Sequence, residues 1–98
     1  MPASHQTPHS AYAIFINTVC EGSIPAWHNE KGFPVTYATE REAKLEIVDD
    51  LQERLRQFIA GERDFEEAIA IEDFILSVDA WPDGSISLQN GSVFGKRE

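Results

Sequence analysis

Thr39-Glu40-Arg41-Glu42-Ala43-Lys44-Leu45-Glu46-Ile47-Val48-Asp49-Asp50-Leu51-Gln52-Glu53-Arg54-Leu55-Arg56-Gln57-Phe58-Ile59-Ala60-Gly61 begins on a capping box and ends on a glycine. The Thr39 hydroxyl can accept from the amide of Glu42, and the Glu42 carboxylate can reach back to the cap's own amide. Ala43, Ile47, Val48, Leu51, Leu55, Phe58 and Ile59 then recur at steps of mostly three and four. At ~100° per residue they form a stripe about 160° wide, which is an amphipathic helix facing a core. Gly61 stands where a left-handed residue ends a helix well. Glu40 with Lys44 and Asp50 with Arg54 are i,i+4 pairs in the favourable order. The spacing predicts a helix over residues 40–60.

A stripe that wide must be buried, and the rest of the chain offers strands to bury it. Upstream, Tyr12, Ile14 and Ile16 alternate with Ala13, Phe15 and Asn17, a strand that is apolar on both faces. Thr18 to Gly32 reads as a long loop holding Cys20, Trp27 and His28, with Ile24 and Trp27 pinning it to the domain. Phe33, Val35 and Tyr37 suggest a short second strand, and Pro34 confines it to an edge or a strand start. Downstream, Asp64-Phe65-Glu66-Glu67 resembles another cap and predicts a helical turn over residues 64–70. Phe74, Leu76, Val78 and Ala80 alternate with Ile75, Ser77, Asp79 and Trp81 as the clearest strand. Pro82-Asp83-Gly84 is a tight turn leading into a return strand, Ser85–Gln89. Asn90-Gly91 is a two-residue hairpin signal ahead of a last short strand, Ser92-Val93-Phe94.

These elements specify a two-layer α+β domain: a small antiparallel sheet of four to five strands with the long helix packed on one face. Residues 1–10, polar and holding two prolines, read as a tail. Residues 11–95 read as one domain and 96–98 as a charged end.

The chain has 98 residues and a formal net charge of −9. That sign argues against general nucleic-acid binding, which needs a positive stripe against phosphates, and against docking on anionic membranes. No apolar run approaches the ~20 residues of a membrane helix, and the first residues lack the basic and apolar blocks of a secretory signal. Cys20 is the only cysteine, so no internal disulfide forms. A cytoplasmic protein is the expectation. The charge is concentrated: between Glu40 and Asp79 there are 13 acids against five bases.

Chemistry-bearing residues are few. Cys20 and His28 are weak catalytic candidates, since a cysteine nucleophile needs a neighbouring base, but no third group to orient the histidine is identifiable. A strand-end thiol and a surface imidazole explain them more simply. His5 and His9 are four apart, which aligns ligands only on a helix, and Pro8 argues against one there. Asp79 to Asn90 has acids at two calcium-loop positions, but Trp81 and Asn90 stand where ligands are needed. No metal and no cofactor are expected. Adjacent acids such as Asp49 and Asp50 project ~100° apart on a helix and are not expected to share a site. Trp27 and Trp81, both beside turns, are the candidate anchors of a contact surface, and Glu46, Asp49, Asp50 and Glu53 supply its charge.

The leading expectation is a non-enzymatic protein-interaction module, as a homodimer joined through edge strands such as 11–17 or 92–94. One alternative is an acidic decoy of a basic nucleic-acid-binding protein. Another is a small enzyme or ligand binder built on the 18–32 loop.

Overall fold

The computed structural model of the chain describes residues 7–96. Alternating small and bulky apolar residues give β1, His9–Thr18, which pairs antiparallel along most of its length with β3, Phe74–Ala80. The strand starts at His9, earlier than expected, because His9 and Ser10 pair with Ala80 and Asp79. What was expected of residues 1–6 lies outside the described residues. β1 also pairs with β2, Gly22–Pro25, and β3 with β4, Ile86–Ser87, which pairs with β5, Val93–Phe94. All five strands run antiparallel in the order β2-β1-β3-β4-β5.

The pairings sort the side chains onto two faces. Phe15 stands opposite Phe74, Ala13 opposite Leu76 and Ala11 opposite Val78, with Ala80, Ile86 and Phe94 continuing the same face. This face holds the main core, in which Phe15 and Ile86 are completely buried. The rings of Phe74 and Phe94 meet Phe15 with centroids 6.2 and 5.6 Å away. The sheet curls nearly into a barrel around these side chains. The small residues Ala11, Ala13 and Ala80 leave room for the curl.

Tyr12, Ile14 and Ile16 point to the other face. There the chain bridges from Tyr12 to Tyr37 by a reciprocal pair of backbone hydrogen bonds, 2.9 and 2.8 Å long. Three residues later it enters α1, Glu40–Ile59, so the helix is delivered to the outside of the curled sheet. The Thr39 hydroxyl accepts from the Glu42 amide at 3.1 Å as expected, but the Glu42 carboxylate takes the amide of Ala38 instead of the cap's own. At the other end Glu62 and Gly61 donate to the carbonyls of Gln57 and Phe58, with Gly61 at φ +81°. That is a Schellman closure. α2, Phe65–Ile69, packs back on α1 through a Phe58–Phe65 ring contact at 5.3 Å. Its Asp64 side chain makes no capping bond.

The α+β architecture is as the sequence implies, with three differences. The main core lies inside the curled sheet, so the helix covers an outer face and its stripe is only partly buried. Ala43 is fully buried, Ile47, Leu51 and Leu55 are half-buried, and Val48, Phe58 and Ile59 are exposed. The 18–32 loop contains β2. Its Gly, Ser and Pro residues are poor strand formers, tolerated because β2 is an edge. Thr18 shapes the turn into it, donating to the Gly22 carbonyl and accepting from the Glu21 amide. Residues 33–37, expected as a strand, make only isolated bridges at Pro34 and Tyr37. The Asn29 carboxamide accepts from the amides of Lys31 and Phe33 and bends the chain into a loop, and Pro34 has no amide to donate. β1 is interior, so residues 11–17 offer no edge for pairing with a second chain.

Candidate functional site

The acids of α1 are gathered by helical phase. At ~100° per residue Glu46, Asp49, Asp50 and Glu53 fall within an arc of about 100°. The loop after β2 lays Trp27 against that arc. Val35 donates to the Trp27 carbonyl at 3.1 Å and Asn29 to the Phe33 carbonyl at 2.8 Å, which holds the loop in place. Trp27, Glu46, Asp49, Asp50, Glu53 and Arg56 together line an open cleft of about 390 Å³. Five of the six expected contact residues thus meet at one place. Asp49 and Asp50, not expected to share one site as a carboxylate pair, both line the cleft, which is wide enough to span the angle between them.

The electrostatics of the cleft are lopsided. Four carboxylates face one guanidinium, that of Arg56, which is engaged by the Glu53 carboxylate. Asp50 is paired with Arg54 at 3.1 Å, while Glu46 and Asp49 make no ion pair among the described residues. The field of Glu46 reaches Tyr37, whose phenol is pushed up to about 12, first by burial and then by that carboxylate. The half-buried indole of Trp27 offers an aromatic surface beside this negative charge. Such a combination attracts ammonium and guanidinium groups, by charge from the carboxylates and by the ring quadrupole from the indole.

Trp81 is elsewhere. Its indole donates to the Ser87 hydroxyl at 3.0 Å, and it lines a separate hollow with His9, Pro34 and Gly84. The turn at its side is held by Asp83, whose carboxylate accepts from the Ser85 amide and hydroxyl at 2.8 and 2.6 Å. Those bonds hold the Asp83 carboxyl below the usual range. They account for the acid and the glycine of the calcium-like stretch without an ion.

Cys20 lies exposed in the β1–β2 turn. His28 bridges to Pro34 and lines a cleft of about 470 Å³ with Glu21, Ile24, Pro25 and Phe94, in the gap between the edges β2 and β5. Cys20 does not line that cleft, so the structure does not bring the two catalytic candidates into one site. His9 belongs to β1, and His5 is outside the described residues. Among the described residues no group of three or more His, Cys, Asp or Glu side chains is placed to hold a metal ion. No helix among them is long and apolar enough to cross a membrane.

A second polar hollow was not visible in the sequence. Arg54, its side chain only 16% exposed, pairs with Asp50 and donates to the carbonyls of Glu67 and Ala70 at the end of α2. Arg63 and Asp73 line the same hollow. Burial raises the Asp73 carboxyl above its ordinary range, Asp50 adds to the rise, and Arg54 opposes it. The guanidinium ties α2 to α1, which makes this cluster structural. The signal was the i,i+4 Asp50–Arg54 pair; the carbonyls it serves lie 13 and 16 residues away.

Comparison of the chain with protein-family models, with curated proteins and with solved structures found no match.

Proposed function

We propose that this domain is a non-enzymatic interaction module whose acidic cleft takes a lysine- or arginine-rich segment of a protein partner. The observation that carries the reading is the convergence of Trp27 with Glu46, Asp49, Asp50 and Glu53 on one open cleft. A basic side chain laid over the indole would keep its head among the carboxylates, and its alkyl stem would cover the ring. The open shape suits an extended segment better than an enclosed small molecule. Because the carboxylates are exposed, their attraction would act at long range and be screened by salt.

The experiment is a fluorescence titration of a Trp81→Phe background, in which Trp27 is the only indole, with a Lys/Arg-rich peptide and a neutral peptide of equal length. Saturable binding of the basic peptide, weakened at least ~10-fold by Glu46→Gln with Asp49→Asn and Glu53→Gln, is the expected result. Affinity that ignores both this charge removal and rising salt would refute the reading. Asp50 is left intact in that variant because it supports Arg54.

A further inference from the structure

On the side of α1 away from the acidic cleft, Leu45, Val48, Gln52, Leu55 and Ile59 follow one another at steps of three, four, three and four. At ~100° per residue they fall within an arc of about 80°, centred well away from fully buried Ala43. Leu45 is 50% exposed, Val48 45% and Ile59 81%. This row is the solvent-side edge of the apolar stripe, with only Leu55 half-buried, and its 3.5-residue period is that of a coiled coil. The helix carries an apolar row that its own fold covers only in part, at Leu55.

We propose that this seam pairs with the same seam of a second copy of the chain, as a parallel, in-register helix pair. Three observations select that occupant. A strict heptad row is complementary to another helix, since side chains at these positions enter holes formed by a facing helix. Gln52 is the single polar residue within the row, and an in-register copy places a second Gln52 opposite it, so each carboxamide can donate to and accept from the other. An unrelated apolar helix would leave it without that exchange. Lys44 and Asp49 flank the row on opposite edges, five residues apart, which is the spacing at which an in-register partner supplies a Lys44–Asp49 pair on each side. Among the described residues Lys44 is held meanwhile only by Glu40, at 3.7 Å and largely in water, so the exchange costs little. Arg41, next along the seam towards the helix start, is exposed and keeps its head in solvent. The remaining cleft acids, Glu46, Asp50 and Glu53, lie beyond this arc. A chain of net charge −9 can therefore approach its copy through this face with little repulsion. The proposal shares one residue, Asp49, with the acidic cleft and would leave Glu46, Asp50 and Glu53 of each cleft facing outward.

The test is sedimentation equilibrium of the full chain from about 5 to 500 µM, with circular dichroism on every variant. The expected result is a rise in mass from 11.0 kDa towards twice that value. Val48→Asp should weaken the dimer at least ~30-fold with the helical signal unchanged, since the site is exposed and its removal leaves the sheet face intact. Ile71→Asp, exposed but off the seam, should leave the dimer as it was. Leu45→Cys in a Cys20→Ser background should form a disulfide-linked dimer under mild oxidation, because only parallel register places the two sulfurs opposite each other. A monomer throughout the range, a dimer indifferent to Val48→Asp, or a Leu45→Cys dimer whose two introduced sulfurs do not join would each overturn the proposal.

Discussion

Replacing Arg54 by methionine keeps an unbranched apolar stem and deletes the guanidinium. In the folded protein that group serves three acceptors: the Asp50 carboxylate and the carbonyls of Glu67 and Ala70. They are not equal. Asp50 is about half exposed and Glu67 is at the surface, so water replaces most of what each loses, a few tenths of a kcal/mol. The Ala70 carbonyl is part-buried and receives a charged donor. Hydrogen bonds of that kind contribute about 1.5–3 kcal/mol, and a carbonyl left dry costs more than one returned to water. The expected loss is about 2 kcal/mol, or roughly 8–16 °C in Tm for a domain of this size. Urea titration followed by circular dichroism measures the total, and amide exchange places it. Exchange should quicken first in α2 and residues 68–70, ahead of β1 and β3, because only α2 loses its tether. Arg54→Lys should recover less than half, since an ammonium has no planar fork to hold Asp50 through one nitrogen and the two carbonyls through another. A loss under about 0.5 kcal/mol would refute the reasoning, and so would a loss spread evenly over the sheet.

Two further outcomes follow from the geometry. Gly84 sits at φ +99°, and a Cβ there would stand 2.8 Å from the ring of Phe33, so Gly84→Ala should cost roughly 2–3 kcal/mol by thermal unfolding. Asp73→Asn should stabilise the protein slightly at pH 7. The folded carboxyl titrates above its unfolded value, so the native state holds that proton more tightly and wild-type stability falls as pH rises through the window above about 4. The asparagine variant lacks that loss, and its advantage should vanish as the pH drops below about 4. Denaturant midpoints of the two proteins across pH check the sign; an advantage that grows in acid would contradict it.

The elements that were legible in the sequence are those specified by neighbours along the chain. The capping box at Thr39, the Gly61 stop, the alternation from Phe74 to Ala80 and the turn at Asp83-Gly84 each encode an interaction spanning a few residues. Each appears in the structure within a residue or two of where its pattern puts it. β2 was not legible, because an edge strand of Gly22, Ser23, Ile24 and Pro25 is held by its partner β1 and not by its own propensity. The strand expected at residues 33–37 failed for the complementary reason. Its alternation was right, but the Asn29 side chain and Pro34 divert the hydrogen bonds a ladder would need. Of the candidate site, Trp27 and the four acids were legible as separate anchors, and Trp81 was wrongly grouped with them.

By itself, then, the sequence determined a long capped helix, a run of alternating strands and turns over residues 74–94, and a net negative charge concentrated between Glu40 and Asp79. All of these are properties of local pattern and composition. Only the tertiary structure decided that Phe15 would meet Phe74, that the sheet would curl around its own core, and that α1 would therefore sit outside with part of its apolar surface uncovered. The same closure set Trp27 beside Glu46 and Glu53. Periodicity shows that a face is apolar or acidic. It does not show what that face meets, because pairing across dozens of residues is settled by which whole arrangement buries the most apolar surface while leaving the backbone satisfied.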